Sequence, residues 1–183
     1  MNKTHFIFLF VSLLLFSCKK ENEHQPRKTT GKINTISVII DDQFWNGEIG
    51  DSIRNKFASP VIGLPQEEPL FNINQYPVRL LEGFMTDTRA IIVVKKAEEN
   101  KFEIKKNQYA SPQNVFHISG KTAADIIACI EKNTPKMIET IKNCELAESQ
   151  KINSQSLIDP KVIENKFHLS IQVPSGYAYV LQK

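Results

Sequence analysis

The sequence predicts an α+β domain with an antiparallel or mixed sheet and two main helices packed on one face. Three observations lead there. Ile36, Val38, Ile39 and Ile40, and again Ile91-Ile92-Val93-Val94, are β-branched runs of the kind that fill buried strands. Ala123, Ile126, Ile127, Ile130, Met137, Ile138 and Ile141 recur at the 3.6-residue period of a helix with one apolar face. Phe167, Leu169, Ile171 and Val173 alternate with polar residues, as one face of a strand does.

In chain order, the first strand begins near Ile33, ends at Asp41-Asp42 and belongs in the sheet interior. A helix opens at Asn46 or Gly47 and turns Ile49, Ile53 and Phe57 inward, with Glu48 and Asp51 at its positive N-terminal end. The segment from Pro60 to Pro77 holds four of the nine prolines and reads as loop, covering a core edge with Leu64, Leu70, Phe71 and Ile73. A short helix from Pro77 to about Phe84 precedes a strand from Arg89 to Lys95. Phe102 and Ile104 alternate with charged neighbours in an exposed strand, and Val115 to Ser119 gives another.

The long helix runs from Thr122 to about Ser149. Thr122 with Asp125 forms the pattern of a capping box, and Thr134-Pro135 predicts a kink or restart. Asp159-Pro160 starts a further short helix; after the strand Phe167 to Val173, Pro174-Ser175-Gly176 turns into Tyr177 to Leu181. With the extra hairpin and short helices set aside, the order is strand, helix, strand, strand, helix, strand, that of a ferredoxin-like (βαββαβ) split unit.

Ahead of this domain, Lys3 and His5 precede eleven residues, Phe6 to Phe16, with Ser12 as their one polar member. As a helix they cover about 16 Å, half of a hydrocarbon core, which suits a signal peptide and not a membrane span. Leu15-Phe16-Ser17-Cys18 then resembles the lipobox of bacterial lipoproteins, with Phe16 bulkier than usual. Residues 1–17 are therefore expected to be removed and Cys18 to be the lipid attachment site, anchoring the protein through several acyl chains. The stretch from Lys19 to Lys32 has no aliphatic or aromatic side chain and reads as a polar tether, in which His24 is a solvated residue. Residues 18–32 thus link the anchor to a single domain at 33–183.

Lys19, in the second mature position, is not the aspartate that retains some lipoproteins at the inner membrane, so an outer-membrane location is expected. The periplasmic side is favoured over the cell surface, because Asn22 interrupts the Lys20-Glu21-Asn22-Glu23 run that looks like a surface-export signal.

Twenty-three Lys and Arg against 20 Asp and Glu give a formal charge of +3, too little for a nucleic-acid surface. Ser119-Gly120-Lys121-Thr122 matches the end of a P-loop, but Val115 stands where its first glycine belongs, so no nucleotide is expected. His117 and His168 fall in predicted strands without HExxH or a second ligand at metal spacing, no GxSxG elbow is present, and neither a cofactor nor a metal is implied. Cys129 and Cys144 lie fifteen residues apart in one helix, about 22 Å, too far for a disulfide unless the chain folds back at Pro135.

The densest acid group is Asp41, Asp42, Glu48 and Asp51. Asp41, Asp42, Trp45 and Asp51 are the candidate pocket, because paired carboxylates at a strand end can hold a cation or divide acid and base roles. The structural alternative is that the first two end a strand, Asp51 favours a helix dipole, and Trp45 anchors the core beside Phe44 and Ile49.

Leu15-Phe16-Ser17-Cys18, then Val38-Ile39-Ile40-Asp41-Asp42 with Trp45, Gly47, Gly50, Asp51 and Arg54, then Gly63-Leu64-Pro65-Gln66 and Glu68-Pro69-Leu70-Phe71, together resemble a lipoprotein family of unknown function from Bacteroidota, DUF4837-like. Tyr109-Ala110-Ser111-Pro112-Gln113-Asn114-Val115 and Pro174-Ser175-Gly176-Tyr177 are similar to further landmarks of it. The resemblance implies an envelope lipoprotein with no catalytic residue or ligand to carry over. It also implies a longer chain, so that this one stands as an N-terminal half or a short form with an exposed edge at Tyr177 to Leu181.

The expected function is a membrane-anchored envelope lipoprotein that binds or scaffolds without catalysis, its one named partner being membrane lipid through Cys18. The alternatives are an envelope hydrolase using Asp41 or Asp42 with a histidine brought near by folding, and a fragment lacking its functional half.

Overall fold

The fold is a computed structural model that describes residues 27–81 and 83–178. The signal peptide, Cys18 and most of Tyr177 to Leu181 lie outside the described residues.

Five strands form the main sheet: β2 (Thr35–Ile39), β3 (Asn72–Tyr76), β4 (Ala90–Lys96), β5 (Lys101–Lys106) and β7 (Asn114–Gly120). Their spatial order is β3-β2-β4-β7-β5; the first four run parallel and β5 pairs antiparallel with β7. The mixed α+β class is therefore as expected. β1 (Arg27–Lys28) and β6 (Ala110–Ser111) add a second, parallel pair. Expected as the end of the tether, residues 27–30 are instead tied to the body, with Thr29 N–H donating to Ser111 O and Thr30 N–H to Asp87 O.

Two short elements, α1 (Asp42–Trp45) and α2 (Glu48–Phe57), carry the chain from β2 to β3. α2 is the helix expected after Gly47, and it buries Ile49, Ile53 and Phe57. The long α3 (Ala123–Asn153) follows β7. Its capping box is present: Asp125 N–H donates to Thr122 Oγ1 at 3.1 Å, and Thr122 N–H returns a bond to Asp125 Oδ2 at 3.1 Å. The restart expected at Pro135 does not occur. α3 runs through it, and Thr134 Oγ1 donates to Ile130 O at 2.7 Å instead of opening a new helix.

Residue parity sorts the sheet into two faces. Ile36, Val38, Ile40, Ala90, Ile92, Val94, Phe116 and Ile118 meet α2 and α3 in one core with Ile126, Ile130, Met137 and Ile141. Ile39, Ile91, Val93 and Val115 face the other way, under Tyr76, Val78, Leu81 and Tyr109. Both main helices thus lie on one face, as expected, while two 3₁₀ segments, Val78–Leu80 and Gly83–Thr86, replace the helix expected over 77–84.

Three further expectations are corrected. Asn72–Tyr76 is a strand within the stretch expected as loop: its NINQY sequence is polar, as an edge strand tolerates, and it pairs on one side only. The strand expected over Phe167 to Val173 does not form. Phe167 ends α4 (Lys161–Phe167), His168 takes a left-handed conformation with φ 56°, and Leu169 and Ile171 are exposed. Alternation needs a sheet edge to pair with, and α3, at 31 residues about 46 Å long, has carried the chain away from one. Without that strand, and with four parallel neighbours, the sheet does not have the ferredoxin-like arrangement.

Candidate functional site

Both aspartates of the candidate pocket leave the sheet at the C-terminal end of β2, and both are exposed. Asp41 contributes its backbone carbonyl, which accepts from Phe44 N–H and Trp45 N–H at 2.9 Å each, and its side chain caps nothing. Asp42 Oδ1 accepts from Gln75 Nε2 at 3.1 Å, a bond that ties the strand end to β3.

Trp45 and Asp51 belong to a different construction. The Arg54 guanidinium stands 4.5 Å from the centroid of the Trp45 ring. Its Nη1 donates to Trp45 O at 3.1 Å, and its Nη2 reaches Asp51 Oδ1 at 2.7 Å. A Cβ added at Gly50 would lie 1.9 Å from Trp45 O, so only glycine lets α1 close down on α2 here. Trp45, Gly50, Asp51 and Arg54 therefore lock a helix corner.

The structure does not assemble the Asp/His pocket. β4 separates β2 from β7, so that the strand leading to Asp41 and the strand carrying His117 are about 10 Å apart, and His168 lies beyond α3. Among the described residues no group of three or more His, Cys, Asp and Glu side chains is placed to hold a metal ion.

A different set of side chains does converge. The outer face of the sheet is covered by Tyr76, Val78, Leu81 and Tyr109 over part of its extent, and is open where β4, β7 and β5 run on. There a groove of about 270 Å³ is lined by Val93, Lys95, Lys96, Lys101, Glu103, Lys105, His117 and Ser119. Register explains the convergence. Ser119 pairs with Lys95 on one side and Lys101 on the other, and His117 pairs with Val93 and Glu103.

Within the groove Lys101 Nζ lies 3.0 Å and Lys105 Nζ 4.0 Å from the Glu103 carboxylate. The Lys101 bond is the largest influence holding Glu103 below the usual carboxylate range. His117 Nε2 lies 2.7 Å from Gln108 Oε1; an amide oxygen only accepts, so Nε2 carries the proton. Gln108 Nε2 continues the chain to Tyr109 Oη at 2.8 Å. Burial pushes the His117 ring below its ordinary value; Lys105, Lys95 and Lys101 push the same way, and Glu103 alone opposes them.

The segment Ser119-Gly120-Lys121-Thr122 has a packing role. A Cβ at Gly120 would meet Ile126 Cγ1 at 2.9 Å and Asp125 Cβ at 3.1 Å, so the glycine admits the first turn of α3 over the end of β7. Cys129 and Cys144 are free and half-buried on α3, and burial raises both thiols.

A family described as a domain of unknown function, DUF8532, matches residues 29–154. The chain belongs to this family. No curated protein and no solved structure matches it. The DUF8532 match ends at Ser154, the residue that caps α3, and so contains the main sheet, the helix corner and the lysine groove but not α4. The family found is DUF8532 and not the DUF4837-like family that the sequence resembles.

Sequence reasoning found the corner residues but assigned two of them to a pocket, and it passed over the groove. The available signal was the alternation Lys101, Glu103, Lys105 opposite Phe102 and Ile104.

Proposed function

We propose that the protein is a cell-envelope lipoprotein, anchored by acyl chains on Cys18 to the periplasmic face of the outer membrane in a Bacteroidota cell, and that its DUF8532 domain is a non-enzymatic binding or scaffolding module. The observation that carries this reading is Leu15-Phe16-Ser17-Cys18 at the end of the eleven-residue apolar run Phe6 to Phe16. The length of chain between the cysteine and the folded body supports it. Nine residues, Cys18 to Pro26, precede β1 and span at most about 31 Å, enough to hold a folded body clear of lipid headgroups without a long stalk.

The binding-module half of the reading is supported by the helix corner. Trp45 and Asp51 serve packing there, and among the described residues the acids nearest a strand end have no histidine partner beside them. Labelled palmitate supplied to cells expressing the chain tests the anchor: incorporation into the wild type and none into Cys18→Ala is the expected result. Equal labelling of the two, or of neither, overturns it.

A further inference from the structure

We propose that the groove on the open half of the outer sheet face is an anion site that takes the phosphate of a phosphate ester. The inference deepens the binding-module reading, and rests on that reading for its biological setting.

Charge is the first argument. On the outer face, Lys95, Lys101 and Lys105 against Glu103 give three minus one, +2, with Lys96 at the rim where β4 ends. A solvated strand face ordinarily mixes signs, whereas this lining holds a single acid. That acid is shared between Lys101 and Lys105, and among the described residues no carboxylate lies within ion-pair distance of Lys95 or Lys96.

Geometry is the second. Lys95 and Lys101 flank Ser119 in register on the two neighbouring strands, so their backbones stand about 10 Å apart and their long side chains can meet over one group between them. The His117 ring lies two residues along β7 on the same face. Burial is the first cause of its lowered proton affinity, and the three lysines that add to it, against Glu103 alone, agree with a net positive field in the groove. A volume of about 270 Å³ is at the small end for ligand sites, the size of a headgroup and not of an extended polymer. Lysine ammonium groups suit phosphate as point charges. The Ser119 hydroxyl is engaged with Glu99 O at 3.1 Å, and the His117 ring beside the lysines offers a second donor, at Nδ1, when it is protonated.

The phosphate has two sources that share this chemistry, a soluble phosphate ester and a phospholipid headgroup. The test uses the full chain carrying Cys18→Ala, so that its outcome does not depend on acylation. His117 is titrated by NMR in inorganic phosphate and in chloride at equal ionic strength, which removes general screening. The titration midpoint is expected to rise with phosphate and to saturate, because a bound anion stabilises the imidazolium. In Lys95→Gln/Lys101→Gln the midpoint is higher from the start and the phosphate response falls about tenfold or more, while Lys142→Gln on α3 responds as the parent does. Both lysines are exposed, and far-UV circular dichroism confirms that the variant is folded.

Co-sedimentation with phosphatidylglycerol vesicles, beside phosphatidylcholine vesicles, separates the sources. A His117 response without vesicle binding assigns a soluble ester; vesicle binding lost in the double lysine variant assigns a headgroup. Equal midpoints in phosphate and chloride together with no lysine-dependent vesicle binding overturn the proposal. That outcome leaves the palmitate result on Cys18 untouched, just as absence of acylation leaves this titration untouched.

Discussion

Arg89 Nε donates to Glu145 Oε2 at 2.9 Å, and the two side chains are only 10% and 8% exposed. A charged pair is thus sealed between the entry to β4 and the second half of α3. Arg89 Nη2 also reaches Gly31 O at 3.4 Å, so one guanidinium links the N-terminal segment, the sheet and the long helix. Glu145 Oε1, buried, has no hydrogen-bond partner among the described residues, which leaves the carboxylate dependent on Arg89.

Removing one partner of such a pair strands a buried charge. Arg89→Met is expected to lower unfolding stability by about 3 to 5 kcal/mol, and Glu145→Leu to act in the same direction. The double variant Arg89→Met/Glu145→Leu is expected to lose less than either single change, because no charge is left behind. Urea denaturation of the three variants reads this directly; additive losses contradict it.

The corner at Gly50 makes a sharper steric demand. With a Cβ 1.9 Å from Trp45 O, Gly50→Ala must separate α1 from α2 or shift the α2 backbone. The expected cost is about 3 kcal/mol, at the upper end of overpacking changes. Gly176→Ala, at a glycine with open space around it, is the control and is expected to leave the midpoint of thermal unfolding in place.

The capping box gives a pH dependence. Hydrogen bonding from Thr122 is the largest influence lowering the Asp125 carboxyl from its ordinary value. A depressed folded-state pKa contributes stability that is present above the unfolded pKa and is lost as pH falls through the folded one. Thermal unfolding of the wild type should therefore fall on acidification below the ordinary aspartate range. Thr122→Ala should show a shallower fall and an Asp125 titration shifted upward by NMR. An unchanged Asp125 titration in Thr122→Ala contradicts the account.

Much of this architecture was legible in the sequence, for physical reasons that differ by element. Ile36 to Ile40 and Ile91 to Val94 are buried on both faces of the sheet, so they carry continuous β-branched runs that nothing else explains. Thr122 and Asp125 announce α3 because capping chemistry is local. Asn72–Tyr76 was hidden, since an edge strand asks little of its side chains, and Phe167 to Val173 misled because alternation specifies a strand only where a partner edge is within reach.

The site was less legible than the fold. Asp41, Asp42, Trp45 and Asp51 are neighbours in sequence, and nearness in sequence suggested a pocket that Arg54 turns into a corner. Lys95, Lys101 and His117 are far apart in sequence and meet only through the registers β4 with β7 and β7 with β5. Periodicity reports which face a residue takes, not which strand stands beside it.

Cys129 and Cys144 both lie on the continuous helix α3, about 22 Å apart along its axis, so exposure to an oxidising compartment should not pair them. Alkylation of Cys18→Ala, denatured after oxidative incubation, should label two thiols per chain by mass. A mass two protons lighter, with neither thiol labelled, contradicts the continuous helix.

The most direct test of the central claim is the intact mass and membrane fractionation of the wild-type chain expressed in a Bacteroidota host, beside Cys18→Ala. The account predicts loss of residues 1–17, a mass increase at Cys18 that corresponds to acyl chains, and enrichment in the outer membrane, all three absent from the variant. A soluble wild-type product with unmodified Cys18 contradicts it.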